Sequence, residues 1–171
     1  MGAPVIDTVS ELQSFRHQAQ LAHHVVRLNA DGLTHEESLV QPRPGGNCLN
    51  WIVGHLVWVY AGALPMLHQE PVLQQDTLSR YARGAPALRN PDEARDFGEL
   101  MAAWDEATTR VDAGLAALPV EVLGRPAPHS PENDPDETIR SLLSTIFFHQ
   151  AYHAGQTGVL RRVIGKPGAI A

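Results

Sequence analysis

Apolar residues recur along the chain at spacings of three and four, and this 3.6-residue rhythm marks four helices with no competing strand-like alternation. The first runs from about Thr8 to Asn29, with Leu12, Phe15, Ala19, Ala22 and Val26 on one face. Ser10 is placed to cap it and Asp31-Gly32 to end it. Pro42-Arg43-Pro44-Gly45-Gly46 is a breaker cluster, after which Asn47 opens a second helix reaching about His68. Its stripe is Cys48, Ile52, His55, Val59, Gly62 and Met66, and a further apolar row of Leu49, Leu56 and Ala63 predicts burial on more than one side. The third helix opens with Asn90 as cap, Pro91 in the first position and Glu93 able to reach back to the cap amide. Phe97, Met101, Trp104, Thr108, Val111, Leu115 and Leu118 mark its face, and Pro119 stops it. The fourth repeats that opening with Asp134, Pro135 and Glu137, and ends at Gly165-Lys166-Pro167. Its face carries Ile139, Leu142, Leu143, Ile146, His149, His153, Leu160 and Ile164.

Four such helices predict an all-α fold, a four-helix bundle packed at small crossing angles. Residues 69–89 form a long irregular connection with room for a short helical turn. That length can cross the bundle end to end, so the second and third helices can run parallel. Residues 119–133, rich in Pro, Gly and Asn, read as loop. With no repeat or linker, residues 1–171 are expected to form one domain, a size sufficient for a real core.

Composition narrows the functional classes. A formal charge of −6, without any Lys/Arg-rich run, disfavours a nucleic-acid partner, which asks for a basic face. The single cysteine, Cys48, excludes an internal disulfide and any CxxC motif. Met1-Gly2-Ala3-Pro4-Val5-Ile6 lacks the basic-then-apolar pattern of a signal peptide, and Ile6 breaks the myristoylation pattern. The longest apolar stretch, Leu49 to Leu67, contains Asn50, His55 and Pro65 and reads as a buried helix rather than a membrane span. A cytoplasmic location without membrane partners is the expectation.

Nine histidines are many for this length, and two are placed informatively. His149 and His153 stand four apart on a helix, so their side chains share a face about 5–6 Å apart at Cβ and can converge on one ion. Burying two imidazoles leaves ring nitrogens that need partners, and a divalent metal satisfies them. His55, on the inward stripe of the second helix, is either a hydrogen-bonded core residue or a third ligand. Position 150 is Gln, so the Glu of an HExxH zincin is absent. His17, His23, His24, His35, His68 and His129 fall on outer faces, helix ends or loops, with His23 a spare candidate.

The segment Asn50-Trp51-Ile52-Val53-Gly54-His55-Leu56 resembles the W-x-x-G-H-L helix of the DinB/YfiT-like family. His149-Gln150-Ala151-Tyr152-His153-Ala154-Gly155-Gln156, followed by Leu160-Arg161-Arg162, resembles that family's HxxYHxGQ…LRR helix. The resemblance implies a four-helix bundle with a long crossover between helices 2 and 3. It also implies a three-ligand site for a divalent ion, carried over here onto His55, His149 and His153, with zinc, nickel, manganese or iron as the ion. Homodimers are common in the family. Characterised relatives include bacillithiol S-transferases and a mycothiol-dependent maleylpyruvate isomerase. The implied function is therefore a metal-dependent enzyme with an open coordination position, performing thiol-dependent transfer onto a small electrophilic substrate. The alternatives are a metal-dependent hydrolase and a non-enzymatic metal-binding stress or interaction protein.

The thiol must come from a low-molecular-weight cosubstrate, because Cys48 lies about two turns from His55 and reads as a small core residue. Gln156 is placed either to orient a ligand imidazole or bound water, or simply to sit at a helix seam. Trp51, Trp58, Tyr60 and Tyr152 read as packing residues. Arg161 and Arg162 read as partners of acids or of an anionic substrate.

Overall fold

The computed structural model describes residues 8–170. The elements in chain order are α1 (Thr8–Ala30), α2 (His35–Ser38), α3 (Leu49–Ala63), α4 (Phe97–Ala117) and α5 (Ile139–Val163), linked by loops and short 3₁₀ turns. Among the described residues no strand forms; Pro126 and Thr138 make an isolated bridge. Met1–Ile6, and the side chain of the expected cap Ser10, lie outside the described residues; position 10 itself falls within α1.

The four long helices form a closed ring of neighbours: α1 packs on α4 and α5, and α3 packs on the same two. Polar contacts fix their directions. Arg140 meets Glu11 near the starts of α5 and α1, and Asn29 Nδ2 donates to Thr157 Oγ1 near their ends, so these two run parallel. Arg16 pairs with Asp112 and His23 with Asp105, so α1 and α4 are antiparallel. Asn50 Nδ2 donates to Arg95 O ahead of α4, Tyr60 stacks on Trp104 midway, and Gly114 faces Leu67 at the far end. Helices α3 and α4 therefore share a direction, and residues 64–96 return along the bundle.

Helix α3 is the core of the molecule. Leu49 through Val57 are all buried, and each enclosed leucine contributes about 1.5–3 kcal/mol of transfer free energy. The stretch Leu49–Leu67 is long and apolar enough to cross a membrane by composition, yet 72% of it is buried inside the fold. Pro65 tightens the end into a 3₁₀ turn (Leu64–Leu67), and His68 in the left-handed region ends it.

The returning segment contains a second 3₁₀ turn (Gln75–Tyr81) that docks on α3. Trp51 Nε1 donates to Arg80 O at 3.0 Å, and the Tyr81 ring lies directly on Gly54. A Cβ at position 54 would stand 2.2 Å from Tyr81 Cδ1, so the close approach exists because residue 54 is glycine. The Tyr81 hydroxyl donates to Asn50 Oδ1 at 3.0 Å and accepts from Arg95 N at 2.7 Å.

Two expected helix starts are displaced. Asn90 caps only a 3₁₀ turn, Pro91–Glu93, and α4 begins at Phe97 with Asp96 as its cap. Arg95 cannot be helical because its N–H is taken by Tyr81 and its carbonyl by Asn50. Asp134 likewise holds a turn, and α5 begins at Ile139, capped reciprocally by Thr138 and Ser141. Here Glu137 O is committed to Ala127 N and Ile139 N to Arg125 O, so the loop outcompetes an earlier helix. At the start of α3 the cap position belongs to Cys48, not Asn47, and it carries no side-chain cap bond.

Candidate metal centre

Three rings meet where α3 and α5 pack. Nε2 of His149 lies 3.1 Å from Nε2 of His55 and 3.1 Å from Nε2 of His153. The i, i+4 spacing on α5 sets the latter pair, and the α3–α5 contact delivers His55. Among the described residues this is the group of His, Cys, Asp or Glu side chains placed to share an ion. His55 is buried, while His149 and His153 are half-buried, on the edge of α5 rather than on its core face. That core face carries the expected Ile139, Leu142, Leu143, Ile146 and Leu160 together with Phe147, Gln150, Ala154 and Thr157, which the sequence pattern passed over.

The outer nitrogens fix two of the tautomers. His55 Nδ1 lies 2.6 Å from Tyr81 O, which can only accept, so Nδ1 carries the proton and Nε2 presents a lone pair. His153 Nδ1 donates to Gln156 Oε1 at 2.7 Å, turning its Nε2 lone pair inward as well. Both lone pairs face His149 Nε2, and one N–H there can serve only one of them. A buried lone pair without a partner is costly, so the cluster asks for a cation.

A proton is a poor choice. Burial, with the charges of His153 and Arg83 adding to it and the Tyr81 bond opposing, lowers His55 to about 4. Burial and the two neighbouring rings lower His149 to about 3, and burial also lowers His153. A divalent ion matches all three lone pairs without a proton. The separation of 3.1 Å is less than twice a metal–nitrogen bond of about 2.0–2.1 Å, so one ion can touch neighbouring rings. An all-imidazole set suits zinc, nickel and iron better than manganese, which prefers oxygen ligands.

The surroundings are uneven. His55 is stacked between Trp51 (centroids 4.8 Å, 17°) and Trp58 (5.7 Å, 12°). His149 Nδ1 is buried with no hydrogen-bond partner, so packing alone against the other two rings orients it. Tyr152, expected to be a packing residue, is 58% exposed with its ring 5.2 Å from His153. Arg161 donates its hydrogen bonds to the carbonyls of Asn29, Asp31 and Pro167, closing the C-terminal end of α1, and its charge reaches Glu37. Arg162 donates to Gly158 O within its own helix. His23 is held by Asp105 on the α1–α4 seam, away from the cluster. Cys48 is fully buried, and burial raises its thiol pKa. Tyr81, absent from the sequence reading, holds the ring of His55. Its signal was the Gly54-His55 pair, a glycine without an evident turn beside a histidine.

The chain resembles, over 90% of its length and 97% of the other's, the crystal structure of a conserved protein from Enterococcus faecalis. The TM-score is 0.69 at 19% identity, a likeness of fold. No curated protein sequence matches. The family model described as the DinB superfamily matches residues 16–157, from within α1 to the region of α5 just past His153 and Gln156. On that match the chain belongs to the DinB superfamily.

Proposed function

We propose that the protein is a divalent-metal-dependent enzyme that joins a small thiol to an electrophilic carbon. The observation carrying the metal part is the convergence of three Nε2 atoms, two with lone pairs fixed inward by Tyr81 O and Gln156 Oε1. The thiol part rests on the resemblance of the two histidine motifs to thiol-dependent members of the family.

His55, His149 and His153 would hold a divalent ion, which when bound would supply Lewis acidity that favours the deprotonated form of a thiol or water. The chain's own part is to hold that arrangement. Tyr81 and Gln156 keep two ligand nitrogens unprotonated, and Trp51 and Trp58 shield both faces of His55 from water. The chain's single thiol, Cys48, is buried at the start of α3, so on this reading a cosubstrate brings the thiol. In the overall change an S–C bond forms, the bond from carbon to its leaving group breaks, and the thiol proton passes to solvent.

The test is elemental analysis of the purified protein beside the double change His149→Ala, His153→Ala, followed by turnover of a small thiol with a chloronitrobenzene. We expect one equivalent of metal, its loss in the variant, and thiol consumption that needs added metal. Unchanged metal content in the variant overturns the metal reading. Metal-dependent ester hydrolysis without thiol consumption overturns the transfer reading and puts a hydrolase in its place.

A further inference from the structure

From Ser141 to Leu160 helix α5 carries no Asp, Glu, Lys or Arg, although one side of that stretch faces solvent. Of the seven large apolar side chains exposed among the described residues, four stand on this helix: Phe148 at 74%, Tyr152 at 58%, Val159 at 60% and Val163 at 41%. Their spacings of four, seven and four keep them on one stripe, with exposed Ala151 beside it. Water-facing helix surfaces usually carry charges, whereas a face rich in aromatics and poor in charge has the composition of a subunit interface. Covering these four side chains removes roughly 400 Å² per copy, about half of the ~800 Å² that a standard interface takes from each partner.

The charges beyond the neutral stretch point to the occupant. Exposed Asp134 and Asp136 precede it; exposed Arg162 follows it, as does Lys166, which also meets Glu37. Two copies of α5 laid antiparallel about Ala151 and Tyr152 bring the acidic end of each to the basic end of the other, whereas a parallel pair opposes like with like. The face is thus complementary to itself, as a two-fold contact requires. A lipid surface asks instead for a basic rim, and the chain carries a net charge of −6. The stripe also borders the histidine cluster. Phe148 and Tyr152 immediately precede His149 and His153, and the Tyr152 ring lies 5.2 Å from that of His153. In the antiparallel pair, Phe148 of the partner subunit falls opposite the turn between His153 and Gln156.

We propose that the exposed face of α5 seats a second copy of this chain, antiparallel and two-fold, so that Phe148 of the partner subunit walls the solvent side of each histidine centre. The dimer is independent of the metal reading; the walling of a metal centre rests on it.

The experiment begins with sedimentation and light scattering of the full chain across a range of concentrations, which should give twice the 18.6 kDa chain mass. Phe148→Asp and Val159→Asp, each placing a charge in the contact, should weaken the dimer about tenfold or more with helicity unchanged. Leu21→Asp, on the exposed side of α1, should leave it intact. Because Cys48 is buried, Ala151→Cys should couple to its own copy through a short bismaleimide. A monomer at every concentration, a dimer that survives both Asp changes, or no coupling at position 151 overturns the proposal. A monomer that binds anionic vesicles overturns it too and puts a lipid surface in the second copy's place. In metal-loaded protein, Val159→Asp should lose metal to a chelator several-fold faster; an unchanged rate, with the dimer lost, overturns the walling. Protein that takes up no metal overturns the metal reading, and the mass alone then decides for the dimer.

Discussion

The substitution Gly54→Ala adds one methyl group and reaches the metal centre without touching a ligand. The new Cβ would lie 2.2, 2.5 and 2.6 Å from Cδ1, Cε1 and Cγ of Tyr81. Carbon atoms rest at about 3.5–4.0 Å, so the ring must retreat by more than 1 Å. The contact involves the base of the ring rather than a free end, and the hydroxyl is tied to Asn50 and Arg95, so retreat drags the backbone with it. Overpacking of this kind costs about 1–3 kcal/mol, and each buried hydrogen bond lost adds about 1 kcal/mol. The same retreat draws Tyr81 O away from His55 Nδ1, and loss of such a supporting contact lowers metal affinity about 10–100-fold. Urea denaturation of the metal-free protein measures the first effect, and competition with a chromophoric chelator the second. Gly155→Ala is the control: it lies on the exposed side of α5 between His153 and Gln156, and its Cβ would meet nothing within 4 Å. There alanine should stabilise the helix by about 0.5–1 kcal/mol and leave affinity alone. If Gly54→Ala keeps both its denaturation midpoint and a chelator competition curve within twofold of wild type, the proposed coupling between the returning segment and the centre is wrong.

Three further outcomes follow from the same geometry. Gln156→Leu should free Nδ1 of His153 and weaken metal binding about tenfold, whereas Gln156→Glu, which keeps an acceptor, should bind as well as wild type or better; equal affinities for all three would exclude a supporting role. In the metal-free protein His55 is lowered to about 4 and His149 to about 3, whereas both protonate near pH 6.5 when unfolded. Stability is therefore complete above about pH 6.5 and falls as pH drops towards 4, by about 3 kcal/mol for His55 alone; denaturation midpoints that stay level across this window would contradict it. Cys48, fully buried and raised by its burial, should resist iodoacetamide until the chain unfolds, and Cys48→Ala should leave thiol-dependent turnover intact; fast labelling of the native protein would count against its placement.

The helices and two of the three histidines were legible because both depend on local periodicity. Spacing four residues apart on a helix places His149 beside His153 whatever the tertiary context, and the apolar rows of α3 foretold burial on several sides. His55 was ambiguous for a physical reason: its partner is a backbone carbonyl 26 residues away, and a carbonyl leaves no trace in the identity of the residue that bears it. The same blindness moved the helix starts. Asn90-Pro91 and Asp134-Pro135 are sound caps locally, but Arg95 and Glu137 spend their backbone groups on Tyr81, Asn50 and Ala127.

The stacking of His55 between Trp51 and Trp58 has a spectroscopic consequence. Two of the chain's three indoles lie in ring contact with the imidazole of His55, a candidate metal ligand, so the protein's own emission should report on the centre. Nickel or ferrous iron, with a partly filled d shell, should quench that emission on binding, while closed-shell zinc should alter it little. A fluorescence titration of the unlabelled chain thus reads loading and distinguishes the class of ion in one measurement, with Trp104, stacked on Tyr60, as the internal reference.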